Sequence, residues 1–210
     1  MMAADEGAAI LETNNDGPKI PDAKKTKFDV IIIGAGPSGY TAGIYCSRAG
    51  YDTLILSGIL PGGQLVNTTE VENYPGFENG IMGPDLMIDM RKQSQKMGTT
   101  IIDDVAVDVD FRRAPYKVLT GSEEYEGRAV IIATGANPRK MGISGEEEFS
   151  GKGVSYCATC DGPFFKNLEL IVVGGGDSAI EEATFLTKFA TRVHVVHRRD
   201  QLRASKVMQE

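Results

Sequence analysis

The stretch with the most distinctive chemistry is Cys157-Ala158-Thr159-Cys160, followed directly by Asp161. Cysteines at C-x-x-C spacing can close a small disulfide ring, and a neighbouring positive group or helix start can turn one thiol into an attacking thiolate. With only three cysteines, the chain reads as a redox protein of a reducing compartment rather than a disulfide scaffold. A zinc site would need four ligands, and the other candidates (Cys46, His194, His197) are scattered, so no metal is expected. A thioredoxin-like setting fits poorly as well, because the chain has no Trp. Asp161 can hand a proton to a thiolate released on reduction, or it can simply shape the Asp161-Gly162-Pro163 turn; the residues alone leave both open. Cys46 reads as a small core hydrophobe and His194 as a residue that packs or caps its sheet.

Two glycine-rich segments say what could feed electrons to such a pair. Gly34-Ala35-Gly36-Pro37-Ser38-Gly39 follows an apolar run and opens a helical pattern. The first glycine permits the tight turn, the second lets the backbone approach a pyrophosphate, and the third packs helix on strand. Gly174-Gly175-Gly176-Asp177-Ser178-Ala179 repeats the arrangement in the form that ends in Ala. Two dinucleotides are therefore expected. The ribose-binding acid usual about 20 residues after the first glycine is missing from the first cradle, where Ser57 stands, so another element must hold that nucleotide. The loop Gly62-Gly63-Gln64-Leu65 is the candidate. After the second cradle come His197-Arg198-Arg199 and then Arg203, a cationic cluster in an otherwise acidic chain. Guanidinium forks suit a 2′-phosphate, which favours NADP over NAD; the plain alternative is a solvated basic helix start.

The elements that must position these groups alternate. Residues 28–33 read as a strand buried on both faces, 38–49 as a helix and 53–56 as a second buried strand, which makes a βαβ unit. Gly83-Pro84 opens another helix with Leu86, Met90 and Met97 on one stripe. Val105, Val107, Val109 and Phe111 alternate with polar residues as a half-exposed strand, and 116–120 and 128–133 continue a small antiparallel meander. Ala136-Asn137-Pro138 breaks the pattern and reads as a hinge. Beyond it lie a strand over 170–173, a helix over 178–189, a strand over 192–196 and a helix starting near Ala204. The expected class is α/β: two Rossmann-like dinucleotide-binding domains with parallel sheets and a small antiparallel meander, the second domain truncated. Residues 1–27 lack apolar periodicity and read as a mobile tail. A two-stranded parallel sheet with no closing glycine after the last helix leads to the expectation of a chain cut inside its second domain.

Composition excludes other classes. The 210 residues carry 22 Lys+Arg against 29 Asp+Glu, a net charge of −7, which argues against phosphate-driven nucleic-acid binding. No apolar run approaches the ~18 residues of a membrane span, and the acidic start does not read as a secretory signal.

Taken in order, residues 34–39, 62–65, Thr69-Glu70-Val71-Glu72-Asn73 with Pro75-Gly76, Ala133-Thr134-Gly135, 157–162, 174–182 and 197–203 resemble the motif set of the low-molecular-weight thioredoxin reductases. The resemblance implies an FAD domain over 28–137 and an NADPH domain over 138–210, in a homodimeric cytoplasmic flavoenzyme. It implies that FAD is held by Gly34, Gly36, Pro37, Ser38, Gly39, Gly63, Gln64, Leu65, Asn73, Ala133, Thr134 and Gly135. NADPH would be held by Gly174, Gly176, Asp177, Ser178, Ala179, Glu182 and His197, with Arg198, Arg199 and Arg203 at its 2′-phosphate. By the same likeness Cys160 faces the flavin, Cys157 attacks the disulfide of thioredoxin or a similar small dithiol protein, and Asp161 is the acid/base. That family also lacks the ribose acid at the Ser57 position. Its chains continue beyond the point where this one stops, with a further flavin motif. The implied path runs from NADPH through FAD to the Cys157–Cys160 disulfide and on to a protein partner, with the second domain swinging about residues 136–139. The rival expectations are a related flavoprotein with another donor or acceptor, or an inactive fragment.

Overall fold

The computed structural model describes residues 25–210, so most of the tail expected over 1–27 lies outside the described residues. Strand β1 (Lys27–Ile33) is glued from both faces: Ile31 and Ile32 are each 0% exposed, and full burial of such a side chain is worth about 1.5–3 kcal/mol. Helix α1 (Pro37–Arg48) starts with proline at its first position and lays Gly39, Tyr40, Gly43 and Ile44 on the sheet. Strand β2 (Thr53–Leu56) is wholly buried. A short hairpin of β3 (Glu70–Val71) and β4 (Ile81–Met82) leads into helix α2 (Gly83–Lys96), whose Leu86, Met87, Met90 and Ser94 face inward. Then follow β5 (Thr100–Ile102), β6 (Ala106–Asp110), β7 (Tyr116–Thr120) and β8 (Glu124–Ile132).

These strands form one six-stranded sheet in the order β5-β2-β1-β8-β7-β6. The first four are mutually parallel and the last two antiparallel. The expected meander is present, and it is fused to the parallel sheet: β8 is long enough to pair antiparallel with β7 and parallel with β1. One expectation is corrected. The strand expected to be half exposed is more open than that: on β6 Val107 is 65% exposed, because β6 is an edge strand with a register shift between Ala106 and Asp108.

Past residue 133 the chain runs without regular structure through 134–143. The second βαβ unit comprises α3 (Ala158–Asp161), β9 (Glu169–Val173), α4 (Asp177–Leu186), β10 (Arg192–Val196) and the single-turn α5 (Lys206–Gln209). β9 and β10 pair in parallel, and Val172, Ala183 and Leu186 form their core. Helix α4 stops earlier than the expected residue 189, ending in tight turns at Lys188 and Phe189. His194 does not pack into the sheet. Its side chain is 47% exposed and faces Glu169 on the adjoining strand.

Candidate active site

The first cradle is built by close backbone contact. Gly34 has φ +109°, and a Cβ there would lie 2.3 Å from the Ala133 carbonyl oxygen. A Cβ on Gly39 would lie 2.0 Å from the Gly34 carbonyl oxygen. Gly36 differs: its Cβ position meets nothing within 4 Å, and it caps α1 with no side chain closing the helix end. The first-turn amides beyond Pro37, Ser38 among them, therefore border open space suited to a phosphate. The loop expected to assist lies alongside. The Gly62 amide donates to the Ala35 carbonyl at 2.8 Å, and the Ala133 amide donates to the Ile33 carbonyl at 2.8 Å, bringing residues 62–65 and 133–135 to the rim. Leu65 packs on the core that contains Ala35 and Tyr40. Gln64 is turned elsewhere, its Nε2 donating to Asn137 Oδ1 at 2.6 Å. Thr134 and Gly135 are exposed, and Asn73 lines a shallow groove of about 500 Å³ formed by residues 72–78.

At the end of β2, where a ribose acid was missing, Ser57 donates its hydroxyl to Asp103 Oδ1 at 2.8 Å. Asp103 is a carboxylate of the adjoining strand end that the spacing argument missed. Arg91 grips both its oxygens, at 2.8 and 2.9 Å, and this guanidinium, with Ser57, holds the Asp103 carboxyl below the usual range. The acid is thus engaged in structure rather than presented to a ribose.

The second cradle shares the design. A Cβ on Gly174 would meet Ala179 Cβ at 2.7 Å, while Gly176, the cap of α4, opens on nothing within 4 Å. Asp177, in the first turn of α4, has its carboxylate turned aside, accepting the Ser205 amide at 2.6 Å and lowered in pKa by that bond. The Arg203 and Ala204 amides donate to the Gly175 carbonyl at 2.6 and 2.9 Å, so the arginine segment docks on the cradle. His197 stacks over Gly175, and its Nε2 is buried with no hydrogen-bond partner among the described residues. Arg198, Arg199 and Arg203 are exposed, and none pairs with a carboxylate among the described residues. Ser178 is exposed and Glu182 half-buried on α4. An open glycine, an orphaned ring nitrogen and three uncompensated guanidinium groups fit an anionic dinucleotide.

Cys157 and Cys160 are joined as a disulfide, with their Cα atoms 5.3 Å apart. Between them Ala158 is buried in the core formed by Val172, Ala183 and Leu186, so the disulfide is carried by the second βαβ unit. The Cys160 amide donates to Cys157 Sγ at 3.2 Å. That donor favours negative charge on Cys157 as the S–S bond opens, while the more exposed Cys160 is the sulfur an external electron source meets. Asp161 is tied to the residues before the disulfide: its Oδ2 accepts the Ser155 hydroxyl at 2.5 Å. Sequence reasoning passed over Ser155, whose part depends on a turn geometry that no spacing rule encodes. Cys46 is a free cysteine whose thiol is pushed up by burial.

One more carboxylate was missed. Glu146 is only 3% exposed and accepts the Met141 and Gly142 amides at 2.8 and 2.6 Å and the Tyr156 hydroxyl at 3.0 Å. It ties the irregular segment to the residue preceding Cys157. The backbone amides, Met141 first, hold its carboxyl below the ordinary value. The stabilisation is therefore complete above the usual Glu pKa of about 4.3 and is lost as pH falls through the lowered folded value. Glu146→Gln is expected to lower the melting temperature at pH 7, with the gap from wild type closing on acidification. Thermal scans from pH 7 down to pH 3 check this.

Two glycine-rich turns between strand and helix, with a disulfide on the second of two βαβ-containing units, are the arrangement expected of the nucleotide-linked disulfide oxidoreductase class. Residues 28–210 match the family model described as pyridine nucleotide-disulphide oxidoreductase. The chain belongs to that family, which implies use of a flavin and a pyridine nucleotide. The chain is 57% identical to the thioredoxin reductase of Listeria monocytogenes over 185 residues, 87% of this chain and 57% of the relative. It superposes on the thioredoxin reductase from Giardia duodenalis with a TM-score of 0.82 at 43% identity, over 88% of this chain and 60% of that one. Lactococcus lactis thioredoxin reductase, described in its FR conformation, gives 0.54 at 48% identity over 87% and 60%. The chain thus spans somewhat under two thirds of the length of these relatives. No helix among the described residues is long and apolar enough to cross a membrane.

Proposed function

We propose that the protein is a thioredoxin reductase, in which residues 28–137 hold FAD, 138–210 hold NADPH, and the Cys157–Cys160 disulfide reduces thioredoxin or a similar small dithiol protein. The observation that carries this is the burial of Ala158 in the core of the second unit, which makes the disulfide and the second cradle one body, apart from the core that carries the first cradle. Bound flavin supplies two electrons, drawn from reduced nicotinamide, to the disulfide. The protein's own residues do the rest. Gly36 and Gly176 admit the pyrophosphates, and the Ala133-Thr134-Gly135 turn and the 62–65 loop wall the first site. The Cys160 amide steadies the Cys157 thiolate that then attacks the partner's disulfide, and Asp161 moves the proton.

Because the disulfide and the second cradle are carried by one unit and both have to reach one flavin, the proposal has that unit swing between two orientations. The drop in TM-score from 0.82 to 0.54 at nearly equal identity supports different placements of the two units among relatives, since sequence divergence does not account for it, and the irregular segment 136–139 is the place for such a swing. Gln64, bonded to Asn137 in this structure, would have to release that bond to serve the flavin. A homodimer in the cytoplasm completes the proposal. The visible spectrum of the purified protein tests it: flavin absorbance bleached by NADPH is expected, and a colourless full-length protein refutes it.

The arginines give a second test. Arg198→Ala with Arg199→Ala is expected to weaken NADPH by about 2 kcal/mol, roughly thirtyfold in KM, because charged hydrogen bonds to the 2′-phosphate are lost. NADH, lacking that phosphate, should be unaffected. Steady-state kinetics with both donors check this, and an equal loss for NADH would remove the arginines from phosphate recognition.

A further inference from the structure

Resting on the disulfide-reductase reading above, we infer that Ser155 is a positioning residue that holds the Asp161 carboxylate in register with the Cys157–Cys160 disulfide. One hydroxyl joins both parts of the machinery. It donates to Asp161 Oδ2 at 2.5 Å, and its oxygen accepts the Cys157 amide at 3.1 Å. The Cys157 carbonyl lies 3.3 Å from the same oxygen, the longer and so the weaker alternative for its single proton. With Oδ2 engaged, Oδ1 is left for sulfur protons. Cys157, the residue whose amide Ser155 holds, is also the one whose sulfur receives the Cys160 amide and best leaves as thiolate. Donor, carboxylate and leaving sulfur therefore share a frame set by residue 155.

The loop does not need Ser155 to keep its shape. The Asp161 amide donates to the Cys157 carbonyl at 3.1 Å, Ala158 is buried, and Tyr156 is anchored on Glu146 at 3.0 Å. Replacing Ser155 thus removes a proton-transfer geometry and leaves the fold in place.

Disulfide exchange with dithiothreitol reads this role without flavin, nucleotide or partner protein. The reagent's thiolate attacks Cys160 Sγ, the Cys157–Cys160 bond breaks, and its electron pair leaves on Cys157 Sγ. Asp161 relays to that sulfur the proton given up by the attacking thiol. The reagent's second thiolate then attacks the mixed disulfide and closes the cyclic oxidised reagent. Cys160 departs with the second proton, so two electrons and two protons have moved to the cysteines. The rate of thiol appearance in the intact chain is measured for wild type, Ser155→Ala, Ser155→Thr, Asp161→Asn and the Ser155→Ala/Asp161→Asn pair. Ser155→Ala is expected to slow exchange on the order of tenfold, the scale on which small misplacements act. Ser155→Thr, which keeps the hydroxyl, should restore most of the rate, and the double variant should be no slower than Asp161→Asn alone. A wild-type rate in Ser155→Ala overturns the inference, as does an undiminished further loss when the substitution is added to Asp161→Asn. Failure of the thioredoxin-reductase reading would show separately, as absent flavin absorbance with this exchange pattern intact.

Discussion

Exchanging Cys157 or Cys160 for serine, each alone, is expected to stop NADPH-driven reduction of a protein disulfide in the full-length protein, by on the order of a thousandfold or more. Serine keeps the shape of cysteine but cannot form the disulfide, so no site remains to receive an electron pair and pass it on as a sulfur nucleophile. The two variants should differ in what they retain. In Cys157→Ser the remaining thiol at 160 is exposed; in Cys160→Ser the thiol at 157 keeps the donor contact of the residue 160 amide, at 3.2 Å in the parent. Cys157 should therefore be the sulfur alkylated faster by iodoacetamide at neutral pH, despite its greater burial, because thiolate character outweighs access at a half-open site. Thiol titration supplies the control: reduction of the parent chain exposes two more thiols than its oxidised form, from the 157–160 pair. Turnover at an undiminished rate in either variant would remove the disulfide from the proposed path.

Much of this architecture was legible in the residues because burial on two faces leaves a plain trace. β2 spans the expected residues 53–56, since a wholly buried apolar run flanked by turns has few alternatives; β10 also spans the expected 192–196, although it is interrupted by His194 and mostly exposed. Helix α2 starts at Gly83, where Gly83-Pro84 pointed. The half-buried edge was harder. Alternation along β6 marks a strand but not which side the core lies on, and the side was settled by the mixed sheet order, a tertiary fact. The two-residue strands of the β3–β4 hairpin are too short to show a period at all. The cradles were readable because their glycines answer to local geometry. Ser155, Glu146 and Asp103 were not, because each acts through a partner chosen by a turn or by an adjoining strand end: Asp161, the Met141 and Gly142 amides, and Arg91. For polar residues of this kind the type is common and only the contact is informative.

The cradle glycines allow the sharpest separation of folding from binding. Gly39→Ala is expected to destabilise the first domain by about 3 kcal/mol or more, because its Cβ would sit 2.0 Å from the Gly34 carbonyl oxygen. That oxygen belongs to the backbone of a turn already held by Ala133, so it has no rotamer by which to yield. Helix α1 would have to lift from β1, exposing Tyr40 and Ile44. Gly36→Ala, three residues away, should behave in the opposite manner. Its φ of −80° and ψ of −173° suit any residue, and the added methyl meets nothing within 4 Å of the protein. Stability should stay within about 0.5 kcal/mol of wild type, as for substitutions that disturb no packing. On the proposed reading the methyl would instead project into the space a pyrophosphate takes, so flavin should be lost from a folded protein. Urea denaturation and flavin content measured on both variants check the pair. Full flavin content in Gly36→Ala would mean that the phosphate does not approach at that glycine, and wild-type stability in Gly39→Ala would mean that the helix is not pressed on the turn. The two outcomes are independent because a methyl at Gly39 meets the protein's own backbone, whereas one at Gly36 meets only open space that a ligand can take.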